Sequence, residues 1–565
     1  MSTTAAILYR RDGYDTSSKR LLGRQAAGEG FLKGLVQHGT AESLYCYAAN
    51  PTEFSEFCKR IQPWMKRPRR VQWLPHNNPK VLAQAGTIYN PDPTISKLVW
   101  QRRFADQQAY SVCGVTHTIA SMGVMQSIGD LLIAPVQPWD ALICTSVAVQ
   151  TAVEHLLNSW ADYLAQRTGG KPHIQIKLPI IPLGVDCNAF LQGSEAKNSR
   201  SRWRQKLGIA QDDMVILFVG RLCFYAKAHP VPMYLALEQA AQTSNAKVHL
   251  VQAGWFEDQK EELSFKDSAR VFCPSVNTIF LDGRQPEIRS AIWSLADIFI
   301  SLVDNIQETF GLTPIEAMAA GLPVVVSDWN GYQESVRHGV DGLRIPTLMP
   351  PPNSGLDLAF DYLGENLNYS TYIAHTSMAA AVDINACAEA LTTLMNNREL
   401  RQRMAENGRQ HAREIYDWKV VIAAYEGLWQ ELAEIRKSYT MTAPRQADAP
   451  PHPLCDDPFQ LFAHYPTRTL TNDLILKLGP MAVPERLSEI RNVWITNFGA
   501  DRRTSVAIDA VLATIKKDGP QSVKTILNQH LEQNSRELLR TLTYLLKFNV
   551  LLELRSENVT VLQGK

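Results

Sequence analysis

The stretch Asp304–Pro346 reads DNIQETFGLTPIEAMAAGLPVVVSDWNGYQESVRHGVDGLRIP. Its order of turn, small-residue helix, apolar strand and second turn decides the fold. Phe310, Gly311, Leu312 and Thr313 form a turn behind Glu308, and Pro314 falls where a helix starts, at the first position that tolerates proline. The backbone N–H groups of Gly311–Thr313 then point out of the positive end of a helix, a ready site for phosphate or sugar oxygens. Glu316, on the first turn of that helix, is placed to accept from paired ribose hydroxyls. Ala317, Ala319, Ala320 and Gly321 are small enough to let the helix lie close on the following strand, PVVVSD.

Upstream, FVGRLCFYAKAHP (Phe218–Pro230) is a buried strand ending in Gly220, followed by Arg221 and Lys227 on a loop. Two cations at the C-terminal end of a strand suit a pyrophosphate. When a bond from a sugar carbon to that phosphate breaks, charge builds on the leaving phosphate. Fixed cations and amides stabilise it, and losing one such group typically costs roughly 10²–10³ in rate.

Short apolar runs alternating with amphipathic stretches are the rhythm of βα units and parallel sheets. Strands are predicted at Ala5–Tyr9, Val112–Thr116, Ala141–Thr145 and Ile174–Ile181, with helices over Gly30–His38 and Val147–Gln166. A second series follows: NSRSRWRQKLGI as a helix, MVILFVG, KVHLVQAG, NTIFLDG and ADIFISL as strands, then PIEAMAAG and PVVVSD. The expected fold is α/β, two Rossmann-like doubly wound domains facing across a cleft, over 1–195 and 196–437. A Pro-rich linker is expected at 438–460. Residues 461–565 read as three helices and a hairpin, VLLELRSENVTVLQG, the outline of a small winged-helix accessory domain.

At 565 residues the chain exceeds one hydrophobic core. Its 57 Lys and Arg against 56 Asp and Glu leave no global charge for nucleic acid, so a role there would have to be local. The nine cysteines are scattered with no CxxC pair, so no metal site and no disulfide framework is expected. The N-terminus lacks the pattern of a signal peptide, and no apolar run reaches the roughly 18–20 residues that span a bilayer. A cytoplasmic location is the expectation.

Taken together, Glu308, Glu316, Gly321–Pro323, Gly331, Glu334, the VGRL…K segment and LGVD (Leu183–Asp186) resemble the signature of the retaining family-4 glycosyltransferases of the GT-B fold. The resemblance implies that Arg221 and Lys227 hold a donor pyrophosphate, Glu316 the ribose, and Glu308 the hydroxyls of the transferred sugar. It further implies that His117, in GVTHTIAS, contacts the donor sugar, and that Gly28 and Gly30 belong to a glycine loop after the first strand. The family moves a hexose from a nucleotide diphosphate sugar with retention at the anomeric carbon, without metal or other cofactor. A uridine or guanosine diphosphate donor is the usual one, though the base, adenosine included, is not legible here. Three departures stand out. SLVDNIQE replaces a common Pro-Ser pair, Asn330-Gly331 replaces a double glycine, and an insertion near Leu348–Ser377 carries Pro350–Pro352, Tyr362, Tyr369 and Tyr372.

The acceptor is open: lipid, saccharide, peptide or natural product. Lys59–Arg70, with six basic residues among twelve, suits peripheral contact with anionic headgroups, nucleic-acid phosphates or plain solvation. In the tail, basic and acidic residues offset one another, which argues against nucleic acid and for docking of a protein or peptide. Two alternatives stay beside the enzyme: a non-catalytic nucleotide-sugar-binding scaffold, and a transferase acting on protein or nucleic acid docked by the tail.

Overall fold

The computed structural model describes residues 4–16, 23–244, 246–440, 442, 449–500 and 505–554. Two compact units divide the chain, Met1–Pro453 and Leu454–Lys565. Within the first, β1 (Thr4–Leu8), β2 (Ser43–Ala48), β3 (Arg70–Pro75), β4 (Gly86–Asn90), β5 (Ser111–Val115) and β6 (Ala141–Ile143) form one parallel sheet in the order β3-β2-β1-β4-β5-β6. A second parallel sheet contains β7 (Met214–Val219), β8 (Val248–Gly254), β9 (Asn277–Asp282), β10 (Ile298–Ser301), β11 (Val324–Ser327) and β12 (Gly342–Ile345), ordered β12-β11-β10-β7-β8-β9. Both are doubly wound, and the strand order reverses between β1 and β4 and between β7 and β10. Ligands of such sheets bind outside the carboxyl ends of the strands at the reversal.

The apolar runs follow from burial on both faces. In β7, Val215 and Leu217 enter the core on one face while Met214, Ile216 and Phe218 enter the core on the other. β1 divides in the same way, Ala5 and Ile7 to one side and Ala6 and Leu8 to the other.

The structure corrects the sequence reading in several places. Ile174–Ile181 is no strand: it meets β6 only through single bridges, Ala141 to Lys177 and Cys144 to Ile180. Pro172 and Pro179 lack the N–H a ladder needs. Strands β2, β3 and β4 fill the stretch where none was predicted. The helix Trp418–Ser438 does not stay with the second sheet; Trp418, Val421, Tyr425 and Trp429 join the core around β1 instead. The chain therefore crosses between lobes twice. At the crossing Val185 N–H donates to Tyr416 at 2.7 Å, and Trp418 N–H donates to Val185 at 3.2 Å. An added Cβ at Gly184 would stand 2.5 Å from the Trp418 ring, which accounts for the glycine in LGVD.

The expected insertion is a clamped excursion. β13 (Thr347–Leu348) and β14 (Ala381–Val382) pair antiparallel at its base, and the helices Leu356–Leu363 and Tyr369–Met378 lie between them.

The second unit has its own core of Leu476, Ile490, Val511, Ile515, Ile526, Leu538, Leu542 and Leu551. Its helices Ser505–Asp518, Val523–Gln529 and Ser535–Lys547 correspond to the three expected ones. The sheet differs from the expected hairpin. β15 (Ile475–Leu478) lies between β16 (Gln521–Ser522) and β17 (Leu551–Glu553), so β17 pairs with a strand preceding all three helices. The second arm of the hairpin, from 555 on, falls outside the described residues, as do 443–448 of the linker. Among the described residues no helix is long and apolar enough to cross a membrane.

Candidate active site

The reversal between β7 and β10 carries the second lobe's predicted residues. Arg221 and Lys227 follow β7, and the segment from Leu302 to Gly311 follows β10. The helix after it runs over Leu312–Ala320, so Pro314 is its third residue and not its first. The placement is still free of cost, because no N–H in the first turn has an intrahelical acceptor. Gly311 is the N-cap at φ +83°, and a Cβ there would come within 2.0 Å of the Tyr332 ring. Glycine is required twice over, by backbone angle and by space. Tyr332 is fully buried and its hydroxyl lies 3.0 Å from that of Ser301, which locks the ring under the turn.

Lys227 Nζ forms an ion pair with Glu308 Oε2, each side chain about four-fifths buried. Burial alone would raise the Glu308 pKa; the Lys227 charge and the Phe310 and Thr309 amides outweigh it and hold the carboxyl below its ordinary value. For Lys227 burial works downward, and Glu308 overrides it, leaving the ammonium charged. Glu316 lacks so close a cation. Burial pushes it up to about 7, only partly offset by Arg289 and Lys227. Arg221 makes one long contact, 3.5 Å to the Ala226 carbonyl. Two cations and the exposed amides of a helix end thus converge beside two carboxylates with different protonation tendencies, an arrangement able to bind a diphosphate and hydroxyls together.

From the other lobe, His117 follows β5. Its Nε2 lies 2.8 Å from the Pro91 carbonyl, and burial lowers its pKa, so the neutral ring prevails. A carbonyl can only accept, so Nε2 carries the proton and Nδ1 is left as an acceptor.

Gly28 and Gly30 are corrected: they lie inside the helix Gly23–His38 and not in a loop after β1. A Cβ at Gly28 would stand 2.1 Å from the Gly13 carbonyl oxygen, and one at Gly30 would stand 2.9 Å from Trp418. Close packing accounts for both. The basic segment is also partly structural. Arg60 donates to the Tyr14 carbonyl at 2.7 Å, while Arg67 and Arg69 donate to Gly39 at 2.8 Å and Leu35 at 3.0 Å, near the C-terminal end of the same helix.

Sequence reasoning missed the residues that join the lobes. The Ser146 hydroxyl donates to the Thr309 carbonyl at 2.9 Å and lies 3.3 Å from Asn330 Oδ1. The Asn330 side-chain amide donates to the Glu308 carbonyl at 2.6 Å. The departure from a double glycine is explained here: Asn330 has φ +44°, a left-handed angle asparagine tolerates. Gly331 stays glycine because a Cβ would stand 2.7 Å from the Phe310 backbone. The available signal for Ser146 was its position as N-cap of the helix Val147–Thr168. In the other departure, Asp304 is buried, accepts from the His229 N–H at 3.3 Å, and is pushed by burial up to about 7. A cavity of about 140 Å³ lined by Phe190, Trp293 and Gly321 lies at the C-terminal end of the Leu312–Ala320 helix, away from this chemistry.

Residues 199–348, which span both cations, the helix end and both carboxylates, match the model of glycosyl transferases group 1. The similarity to glycosyl transferases group 1 covers that segment of the second lobe. Among curated relatives, it is 31% identical over 145 residues to an uncharacterized glycosyltransferase of Methanocaldococcus jannaschii, covering 25% of this chain and 34% of that one. It is 25% identical over 328 residues to a D-inositol 3-phosphate glycosyltransferase of Corynebacterium urealyticum, covering 56% and 64%. The chain thus spans from about a third to just under two thirds of the length of these relatives. Among solved structures, Anabaena HepE in complex with UDP aligns at 16% identity with a TM-score of 0.49, covering 77% of this chain and all of that one. Two six-stranded, doubly wound parallel sheets in tandem are the arrangement expected of the GT-B fold.

Proposed function

We propose that the protein transfers a hexose from a nucleotide diphosphate sugar to an acceptor hydroxyl, with retention at the anomeric carbon. The observation that carries this reading is the Lys227–Glu308 pair at the amide-bearing tip of the Leu312–Ala320 helix. A diphosphate entering this site meets Lys227, Arg221 and the free amides of Leu312 and Thr313, while Glu316 in its ionised form accepts the ribose hydroxyls. Glu308, relieved of part of its pairing with Lys227, accepts hydroxyls of the sugar, and His117 Nδ1 accepts another from the opposite lobe.

In the reaction, the bond from the anomeric carbon to the phosphate oxygen breaks and the electron pair leaves with the nucleoside diphosphate. The acceptor oxygen attacks from the same face, and its proton passes to the departing phosphate. Arg221, Lys227 and the helix amides stabilise the charge that develops there. No metal is assigned a part, and turnover is expected to persist in chelator.

The names of relatives acting on inositol 3-phosphate and on lipopolysaccharide show how varied acceptors are among similar chains. The acceptor of this protein is left as lipid, saccharide, peptide or natural product. With Arg60, Arg67 and Arg69 engaged in the fold, Lys59–Arg70 supplies little to a membrane or nucleic-acid reading.

The test is release of nucleoside diphosphate from a panel of uridine, guanosine and adenosine diphosphate sugars, with and without candidate acceptors. Turnover of one donor by wild type, and loss of roughly 10²–10³ in Glu308→Ala and Lys227→Ala, is expected. Binding without turnover of any donor would favour the non-catalytic scaffold. Equal turnover by both variants would refute the site.

A further inference from the structure

The insertion reaches back over the mouth of the site. The Tyr369 hydroxyl donates to Gln307 Oε1 at 3.0 Å and lies 3.2 Å from the Thr118 hydroxyl. A phenol has one proton, so with that proton on Gln307 the Thr118 hydroxyl is the donor of the second bond. Gln307 passes the connection on, its Nε2 donating to the Ala226 carbonyl at 2.9 Å. Each partner adjoins a candidate site residue: Thr118 follows His117, Gln307 precedes Glu308, and Ala226 precedes Lys227. Thr118 belongs to one lobe, Gln307 and Ala226 to the other. One hydroxyl therefore sits at the junction of three loops that carry the sugar and phosphate contacts.

The anchoring around it is rigid. The Tyr362 hydroxyl accepts the Met122 N–H at 2.9 Å, a second tie to the loop of His117. Tyr362 and Tyr372 stack at 4.3 Å with their planes 10° apart. Ile373 is buried with Ala120, Cys223 and Ala226, and its carbonyl accepts from Asn305 at 3.4 Å. Side chains from both lobes and the insertion thus share one small core directly above the site.

From this geometry we propose that Tyr369 is a positioning residue for the donor sugar: it fixes the separation of His117 and Glu308 across the cleft, and with it the width of the sugar pocket. The inference rests on the donor reading above. It makes the insertion part of donor selection, since the pocket wall from the first lobe is held in place by residues 362–373 and not by that lobe alone.

The test compares affinity for a nucleotide sugar with affinity for the bare nucleotide, by calorimetry on the full chain. The probes are UDP with UDP-glucose, GDP with GDP-mannose and ADP with ADP-glucose. Tyr369→Phe keeps the ring and removes the hydroxyl. It is expected to weaken the nucleotide sugar about fivefold to tenfold while leaving the bare nucleotide unchanged. Thr118→Val should act in the same direction, and Tyr369→Phe with Thr118→Val should be no worse than Tyr369→Phe alone, because the Thr118 bond is already one of the two that Tyr369→Phe removes. Equal weakening of sugar nucleotide and nucleotide, or additive losses, would overturn the proposal. If the wild type binds no nucleotide sugar, the transferase reading fails separately. Backbone amide exchange over 117–122 then decides the Tyr369 bridge: faster exchange in Tyr369→Phe supports it and unchanged exchange refutes it.

Discussion

Glu334 Oε1 accepts the backbone N–H of Val147 at 2.6 Å, so a carboxylate of the second lobe caps the first turn of a helix in the first. The helix Val147–Thr168 presents its positive end to that carboxylate, beside the Ser146 contacts to Thr309 and Asn330. Closure of the lobes and the placement of the Glu308 loop thus share one set of bonds. The Glu334 side chain lies near the surface, so Glu334→Ala should cost no more than about 1 kcal/mol of closure, seen as a rise of about fivefold or less in donor KM. Small-angle scattering should show a larger radius of gyration for the variant than for wild type.

Lys227 and Glu308 depend on each other. Removing one partner of a largely buried pair leaves the other charge uncompensated, at about 3–5 kcal/mol when burial is complete and less here. Lys227→Met should therefore lower Tm by several degrees. Adding Glu308→Gln should recover much of the Tm and none of the activity, because the phosphate contact is gone in both.

A pH dependence follows from Glu316, whose pKa is pushed by burial from an ordinary 4.5 up to about 7. The folded chain then holds this proton where the unfolded chain has lost it. The contribution to stability is fully present below about 4.5 and is lost as pH rises through about 7. Ribose binding needs the ionised form, so nucleotide affinity should run the opposite way, weakening as pH falls below 7. Calorimetric titration from pH 5.5 to 8 should show this slope in wild type and a flatter one in Glu316→Gln.

Gly311 offers a structural check. With φ at +83° and the Tyr332 ring 2.0 Å from an added Cβ, Gly311→Ala combines backbone strain with a clash. A loss of about 1–3 kcal/mol from the backbone alone is expected, with further loss as the ring moves. Thermal unfolding should register it, and nucleotide binding should weaken because the amides of Leu312 and Thr313 shift with the turn.

In the second sheet β7, β8, β10 and β11 were legible because they are continuous apolar runs buried on both faces, and β9 as an apolar run at the edge. The edge strand β12, GLRI, is short and half-buried and was not predicted. β7 with Arg221 and Lys227, and the Glu308–Glu316 segment, needed only local spacing. The first sheet was half hidden. SLYCYA and RVQWLP mix polar and apolar residues, and RVQWLP lies at the sheet edge where one side is less enclosed, so periodicity did not separate them from loop. Gly28 and Gly30 misled because a glycine required by a neighbouring carbonyl (Gly13, for Gly28) or ring (Trp418, for Gly30) looks the same in sequence as one required by a turn.

The sequence by itself determined the two βα series, the helix tip behind Glu308 and the identity of the charged residues beside it, since each depends on residues within about ten positions of one another. Only the tertiary structure decided that Trp418–Ser438 returns to the first sheet, that Val147 and Glu334 meet, and that Tyr369 bridges Thr118 and Gln307. Those contacts join residues 62 to 251 positions apart or more, and no local pattern encodes a partner at that distance. The physical reason is that a hydrogen bond or a packed ring depends on the fold that brings its two sides together, whereas periodicity records only which face of an element is buried.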